Sequence, residues 1–247
     1  MVVRYCAIII KSQQWSLPGA VFRTLYMNYN VRFEAFASPI SNHMGNYKNT
    51  GYFSMFDEDR RFGSMGDIFS TDMSSPIKGV KLGSVGWVVH PPYIPHIMTR
   101  AFGKIMECIE NSKLRGVGVL IVMVIPHSPD TQLYRHIRQT HYELTEVVMM
   151  RQTHFYENQG RRITSTTDTS LFIFDERVGR QGGPRTPAGR VNSYSDIIDA
   201  FYINSTPETV NIPKATRDFM KGDEGDTVVI SDIDDINNRV VMKSPST

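Results

Sequence analysis

Val88-Val89-His90-Pro91-Pro92-Tyr93 is the stretch on which the reading of this chain turns. Ser84 to Val89 reads as a short buried strand, and a four-residue turn follows it. The two prolines fix φ and aim a backbone carbonyl away from the strand end. Neutral His90 has one ring nitrogen that accepts a hydrogen bond and one that donates. Tyr93 adds a ring that can stack on a flat ligand. A bare x-Pro-Pro-aromatic run is more often only a turn, so its surroundings decide its meaning.

Working outward, the chain alternates strand and helix signals. Ser16 offers an N-cap and Pro18 an early helical position, with Val21, Leu25 and Tyr26 on one face of a helix through Met27. Val31 to Ala37 alternates like a strand, with Val31, Phe33, Ala35 and Ala37 on one side. After Tyr93 a helix runs to about Lys113, its buried stripe marked by Ile97, Ala101, Ile105 and Ile109. Val117 to Ile125 is an unbroken apolar run, as expected of a central strand covered on both faces. Gln132 to Arg138 is short and basic. Tyr142 to Met150 and Ser170 to Phe174 read as two later strands. The type of Met1 to Lys11 is left open by its periodicity. The pattern predicts an α/β domain over residues 1–178. Ligands of such sheets sit beyond the carboxyl ends of the strands, which places Ala37, Ser38 and Pro39 at a ligand edge. Residues 179–247 read as a Gly/Pro/Arg linker at Gly179 to Gly189 and a C-terminal extension. That extension holds a short helix at Ser195 to Tyr202 and strands at Thr227 to Ser231 and Arg239 to Lys243 about an acidic turn.

Composition narrows the classes. A chain of 247 residues, 40% of them apolar, can bury a sizeable core. The net charge is +2, but residues 207–247 hold eight acids against five bases, so the remainder is five units basic. That excess permits nucleic acid without announcing it. Residues 1–33 carry Arg4, Lys11, Arg23 and Arg32 and no acid, yet they read as folded rather than as a targeting segment. Cys6 and Cys108 form no disulfide framework, and the expectation is a reducing, intracellular setting, nuclear or cytoplasmic. No apolar run is long enough to span a membrane. The seven histidines show no metal spacing, so no metal site is expected. No Gly-x-Ser-x-Gly elbow or Gly-Lys-Ser/Thr phosphate loop occurs.

The Pro-Pro-aromatic turn resembles those that end adenine-N6 methyltransferase sites, which read Asp/Asn-Pro-Pro-Tyr/Phe/Trp. Three blocks carry a closer likeness. Ser16-Leu17-Pro18 precedes Asn30-Val31-Arg32-Phe33-Glu34-Ala35-Phe36-Ala37-Ser38-Pro39-Ile40. Asp57-Glu58-Asp59-Arg60-Arg61-Phe62-Gly63-Ser64-Met65-Gly66 follows, and then His90-Pro91-Pro92-Tyr93. In order and spacing these are similar to the cap-specific adenosine N6-methyltransferases, the phosphorylated-CTD-interacting-factor family, which has Asn-Pro-Pro-Phe at the third block. The resemblance implies a Rossmann-like class I fold that binds S-adenosyl-L-methionine. It implies methylation at N6 of an adenosine in RNA, the nucleotide beside the 5′ cap. On it, Phe36, Ala37, Ser38, Pro39, Asp57, Asp59, Phe62, Gly63 and Ser64 are the cofactor-binding positions, and His90, Pro91, Pro92 and Tyr93 the catalytic ones. Spacing alone favours a solvated acidic turn over Asp57 to Ser64, with Phe62 anchoring the loop to the core, and the family resemblance reverses that preference. Members also carry a WW module and a helical domain. These residues display neither, so a second protein chain is expected to supply cap or substrate recognition.

Arg151 to Asp168 interleaves Arg151, His154, Phe155, Tyr156, Arg161 and Arg162, a mixture suited to RNA phosphates and unstacked bases. The same loop also reads as an exposed hairpin. His90 leaves a further alternative open. Neutral, its ring accepts through one nitrogen only; protonated, it accepts through none. The chain is therefore either an active RNA methyltransferase or a degenerate fold kept as an RNA-binding or assembly subunit.

Overall fold

The computed structural model describes residues 15–75, 84–142, 144–158, 160–177, 194–202 and 241–243. Met1 to Lys11, the Gly179–Gly189 linker and the strand expected at Thr227–Ser231 lie outside them.

The first helix, α1 (Gly19–Tyr29), buries Val21, Phe22, Leu25 and Tyr29, spaced so that they share one side. It ends at Asn30, whose φ of 57° is a left-handed stop. Ser16 is not its N-cap: Pro18 holds that position. The Ser16 backbone is committed elsewhere, exchanging hydrogen bonds of 2.7 and 2.8 Å with Glu157. The Glu157 carboxylate caps the helix instead, accepting from Gly19 N at 3.1 Å. Sequence-local reasoning has no access to a cap supplied from 138 residues away.

The strands are β1 (Val31–Glu34), β2 (Gly51–Tyr52), β3 (Ser84–Val89) and β4 (Gly118–Pro126). They continue with β5 (Leu144–Met149), β6 (Phe155–Asn158), β7 (Arg161–Thr164), β8 (Thr169–Asp175) and β9 (Val241–Lys243). Helix α2 (Pro95–Leu114) crosses from β3 to β4, α3 (Gln132–Arg138) leads to β5, and α4 (Ser195–Tyr202) comes late in the chain. The main sheet is mostly parallel, ordered β2-β1-β3-β4-β8-β5-β9, and β6 with β7 makes a separate hairpin. Strands β2, β1, β3 and β4 run parallel; β8 is antiparallel to both β4 and β5. Between β1 and β3 the chain forms β2 and three short 3-10 turns, at Met44–Asn46, Asp57–Phe62 and Ile68–Ser70.

Two apolar layers sandwich the sheet. Leu120, Val122 and Val124 of β4 pack with α1 and with Ile197, Ile198, Ala200 and Phe201 of α4. Val119, Ile121, Met123 and Ile125 face the other way, onto α2 and α3. This two-sided burial is why β4 is apolar throughout. The short helix of the C-terminal extension therefore belongs to the core of the domain. Gly86 in β3 has a steric reason: a Cβ there would lie 2.6 Å from Val31 Cα and 2.8 Å from Asn30 O. Only glycine lets β1 and β3 approach so closely.

Candidate functional site

The sheet order supplies the site. Chain progress from β1 runs one way to β2 and then back to β3 on the other side of β1. Such a reversal opens a crevice beyond the carboxyl ends of the two strands. A cleft of about 370 Å³ lies there, lined by Ala35 to Ser38 after β1, Phe53 to Met55 after β2, and His90 to Ile94 after β3. Its size falls within the range of small-molecule sites. The walls are flat and aromatic: Trp15, Phe36, Phe53, Phe69, His90 and Tyr93. Phe36 meets Phe69 edge-on at 5.6 Å, and the Arg100 guanidinium lies 3.9 Å over the Phe69 ring. Asp67 and Arg100 bring opposite charges to the lining. Ser38 is tied back by its N–H to Ser41 Oγ at 3.0 Å and by the two hydroxyls at 2.9 Å.

His90 stacks on Tyr156 with ring centres 5.5 Å apart and planes 6° from parallel. Its Nε2 lies 3.1 Å from the Tyr93 hydroxyl. Burial pushes its pKa down to about 4, so the ring is neutral at ordinary pH. Tyr93 donates to Tyr156 at 2.8 Å, and burial raises the Tyr93 phenol further above its usual value. Tyr156 itself meets Thr169 Oγ1 at 2.9 Å. The Pro-Pro-aromatic turn is thus held from behind by the β6 hairpin.

The expected cofactor positions divide. Phe36, Ala37 and Ser38 line the cleft; Pro39, Asp57, Asp59, Phe62, Gly63 and Ser64 do not. The second block instead clasps β2. The Tyr52 hydroxyl donates to Phe62 O at 2.8 Å, and Ser54 Oγ donates to Ser64 Oγ at 2.6 Å. Gly63 takes φ 94° to end the Asp57–Phe62 turn. Phe62 is 52% exposed and Asp59 1% exposed. By fixing Tyr52 to Ser54, the block shapes the cleft wall without facing into it. The four motif residues, His90 to Tyr93, all line the cleft.

The expected RNA positions divide as well. Arg151, Arg161 and Arg162 are exposed, with Arg162 packed 4.1 Å over the Phe155 ring. His154 and Tyr156 are each fully buried, so neither side chain has surface to offer RNA. Their polarity serves an internal hydrogen-bond chain instead. Arg162 pairs with Glu157 on the face opposite Tyr156, whereas Arg161 shares the Tyr156 face but sits at the exposed turn end of the hairpin. The hairpin lies between the end of β5 and the start of β8, and so belongs to the same sheet edge as the cleft.

The lining residues that sequence reasoning missed include Trp15, Ser41, Asp67, Phe69 and Arg100 as well as Phe53 to Met55, and it read Ile97 only as core. Asp67 lies one residue beyond the second block and Trp15 one residue before the first, which is the only sequence signal they carry. Among the described residues no His/Cys/Asp/Glu group is arranged to hold a metal. No helix among them is long and apolar enough to cross a membrane.

A family model described as Phosphorylated CTD interacting factor 1 WW domain matches residues 1–159. Within the described residues, that span holds β1 to β6, α1 to α3 and every residue that lines the cleft, but not β7, β8, β9 or α4. No curated protein matches the chain.

Proposed function

The chain belongs to the phosphorylated CTD interacting factor 1 family, and from that premise we propose that it is an S-adenosyl-L-methionine-dependent RNA methyltransferase acting on the N6 amine of adenosine. The cap-adjacent nucleotide of mRNA is the substrate that the family resemblance favours. One observation carries the reading: the His90-Pro91-Pro92-Tyr93 turn opens onto a cleft at the strand-order reversal of a mostly parallel sheet.

The lining suits the proposed donor. Phe36 and Phe69 provide aromatic surface for an adenine, Asp67 a carboxylate for ribose hydroxyls or an amino group, and Arg100 a partner for a carboxylate. When bound, S-adenosyl-L-methionine supplies an electrophilic methyl on a sulfonium. The residues of the chain do the rest. The Pro91-Pro92 backbone orients the exocyclic amine through a carbonyl, Tyr93 and Trp15 confine the base, and neutral His90 accepts one N–H. A cationic ring would repel both the sulfonium and the charge growing on N6, and the lowered pKa of His90 avoids that. Arg151, Arg161 and Arg162 take RNA phosphates at the same edge. The family name describes a factor that interacts with a phosphorylated CTD, and a protein partner that brings the capped RNA fits this reading.

The test is calorimetric titration with S-adenosylhomocysteine, then tritium transfer from S-adenosyl-L-methionine to capped and uncapped adenosine-initiated RNA. Micromolar saturable binding and transfer to RNA are expected. Folded protein that binds no cofactor would overturn the enzyme. Binding of cofactor and RNA without transfer would leave a scaffold subunit.

A further inference from the structure

A single file of hydrogen bonds runs from His90 into the protein. His90 Nε2 meets the Tyr93 hydroxyl at 3.1 Å, and Tyr93 meets the Tyr156 hydroxyl at 2.8 Å. Tyr156 meets Thr169 Oγ1 at 2.9 Å, and Thr169 meets His154 Nε2 at 2.9 Å. His154 Nδ1 ends the file on the carbonyl of Met150 at 3.0 Å. Each of the three hydroxyls has one proton, and each gap needs one. The far end removes the freedom. A carbonyl only accepts, so His154 Nδ1 carries the proton there. Burial holds the His154 pKa below its usual value, so the ring is neutral and its Nε2 is bare.

Counting back from that end fixes every proton. Thr169 must donate to His154 Nε2. Its oxygen then accepts from Tyr156, whose oxygen accepts from Tyr93. The Tyr93 proton is used, so the 3.1 Å contact with His90 is made by an Nε2–H. Any other arrangement leaves two lone pairs facing each other across about 3 Å at one of the gaps, which forfeits the hydrogen bond there.

The geometry points to Thr169 and His154 as positioning residues that lock His90 in its Nε2–H tautomer, leaving Nδ1 as a permanent acceptor for a ligand N–H. Nδ1 has no partner among the described residues. Only Ser16 Oγ and Ser112 Oγ among them are sealed without one, so Nδ1 opens to the cleft that His90 lines. The locked ring thereby takes the place of an amide oxygen at the first motif position. It selects a hydrogen-bond donor, an exocyclic amine, over a carbonyl at the same place. That the amine is adenosine N6 rests on the function proposed above; the tautomer does not.

Long-range proton–nitrogen correlation spectra of the full chain, labelled with 15N-histidine, test this directly. His90 should show a bare Nδ1 and a protonated Nε2 from pH 6 to 8, and His154 the reverse. Thr169→Val removes the fixed donor. Tyr156 can then turn its proton to Tyr93, and Tyr93 to His90, so the Nδ1–H form of His90 should appear, while Thr169→Ser keeps the original spectrum. If methyl transfer is found, Thr169→Val should lower kcat at least tenfold with KM little changed, and Thr169→Ser should restore it. A His90 protonated at Nδ1 in the unaltered protein would overturn the inference, even in an active enzyme. So would a Thr169→Val spectrum identical at His90. The expected tautomers without methyl transfer to any RNA would overturn the function and leave the lock in place. The spectrum of the unaltered protein decides the main point even where Thr169→Val fails to fold.

Discussion

Two ionisable residues at the strand ends carry shifted constants, His90 in the cleft wall and Glu34 buried behind it. His90, with its pKa near 4, is neutral throughout the physiological range. The acceptor role therefore gives methyl transfer a profile that His90 leaves flat from pH 6 to 8 and depresses only as pH approaches 4, which initial rates against pH will check. Had the ring kept its ordinary constant near 6.5, activity would already fall within that range. Glu34, at the end of β1, is the opposite case. It is 3% exposed and accepts from His43 N at 3.1 Å, and burial pushes its pKa up to about 8. A raised folded-state pKa gives stability that is complete below the ordinary value of 4.5 and is lost as pH rises through 8. Glu34→Gln keeps the shape without the proton. The advantage of the original protein over this variant in urea denaturation should therefore shrink between pH 5 and pH 8. The change is on the order of a few kcal/mol.

At the scale of elements, the cleft depends on how closely β1 and β3 approach. Gly86→Ala would push a methyl into the Val31 and Asn30 backbone, where no side-chain rotation relieves it. A cost of about 1–3 kcal/mol or more is expected, read as a lower urea midpoint. Cofactor binding should weaken with it, since the cleft walls follow those strand ends. The β6–β7 hairpin is the second such element. Its buried residue Tyr156 stacks on His90, while Arg161 and Arg162 are exposed. On the function proposed above, this hairpin would tie RNA contact at its surface to the motif turn.

For the whole molecule, three of the bases outside the acidic tail, Arg151, Arg161 and Arg162, are exposed between β5 and β8. Replacing Arg151, Arg161 and Arg162 together by Ala should weaken single-stranded RNA binding. It should also flatten the salt dependence by about 2 in slope, at roughly 0.7 per phosphate contact. An unchanged slope would make the hairpin a solvated surface. The same fold makes α4 part of the core, because Ile197 and Phe201 are fully buried against the α1 side of the sheet. The boundary drawn after residue 178 on linker composition therefore separates segments that fold together. Composition reports where a chain is loose, not where it returns to pack.

The sequence by itself determined the elements whose signal is local. The apolar run of β4, the four-residue stripe of α2 and the Pro-Pro-aromatic turn were legible because periodicity and proline geometry act over a few residues. It also carried the family, through blocks whose spacing survives as text. Tertiary structure decided what depends on distant neighbours. Glu157 caps α1 from the hairpin, β2 is a strand only because β1 pairs with it, and the second block clasps that strand without facing the cleft. Above all, the state of His90 is set by Tyr93, Tyr156, Thr169 and His154, whose hydroxyls and ring meet only when β8 inserts between β4 and β5. A hydrogen-bond chain is a property of positions in space. No spacing along the sequence announces it.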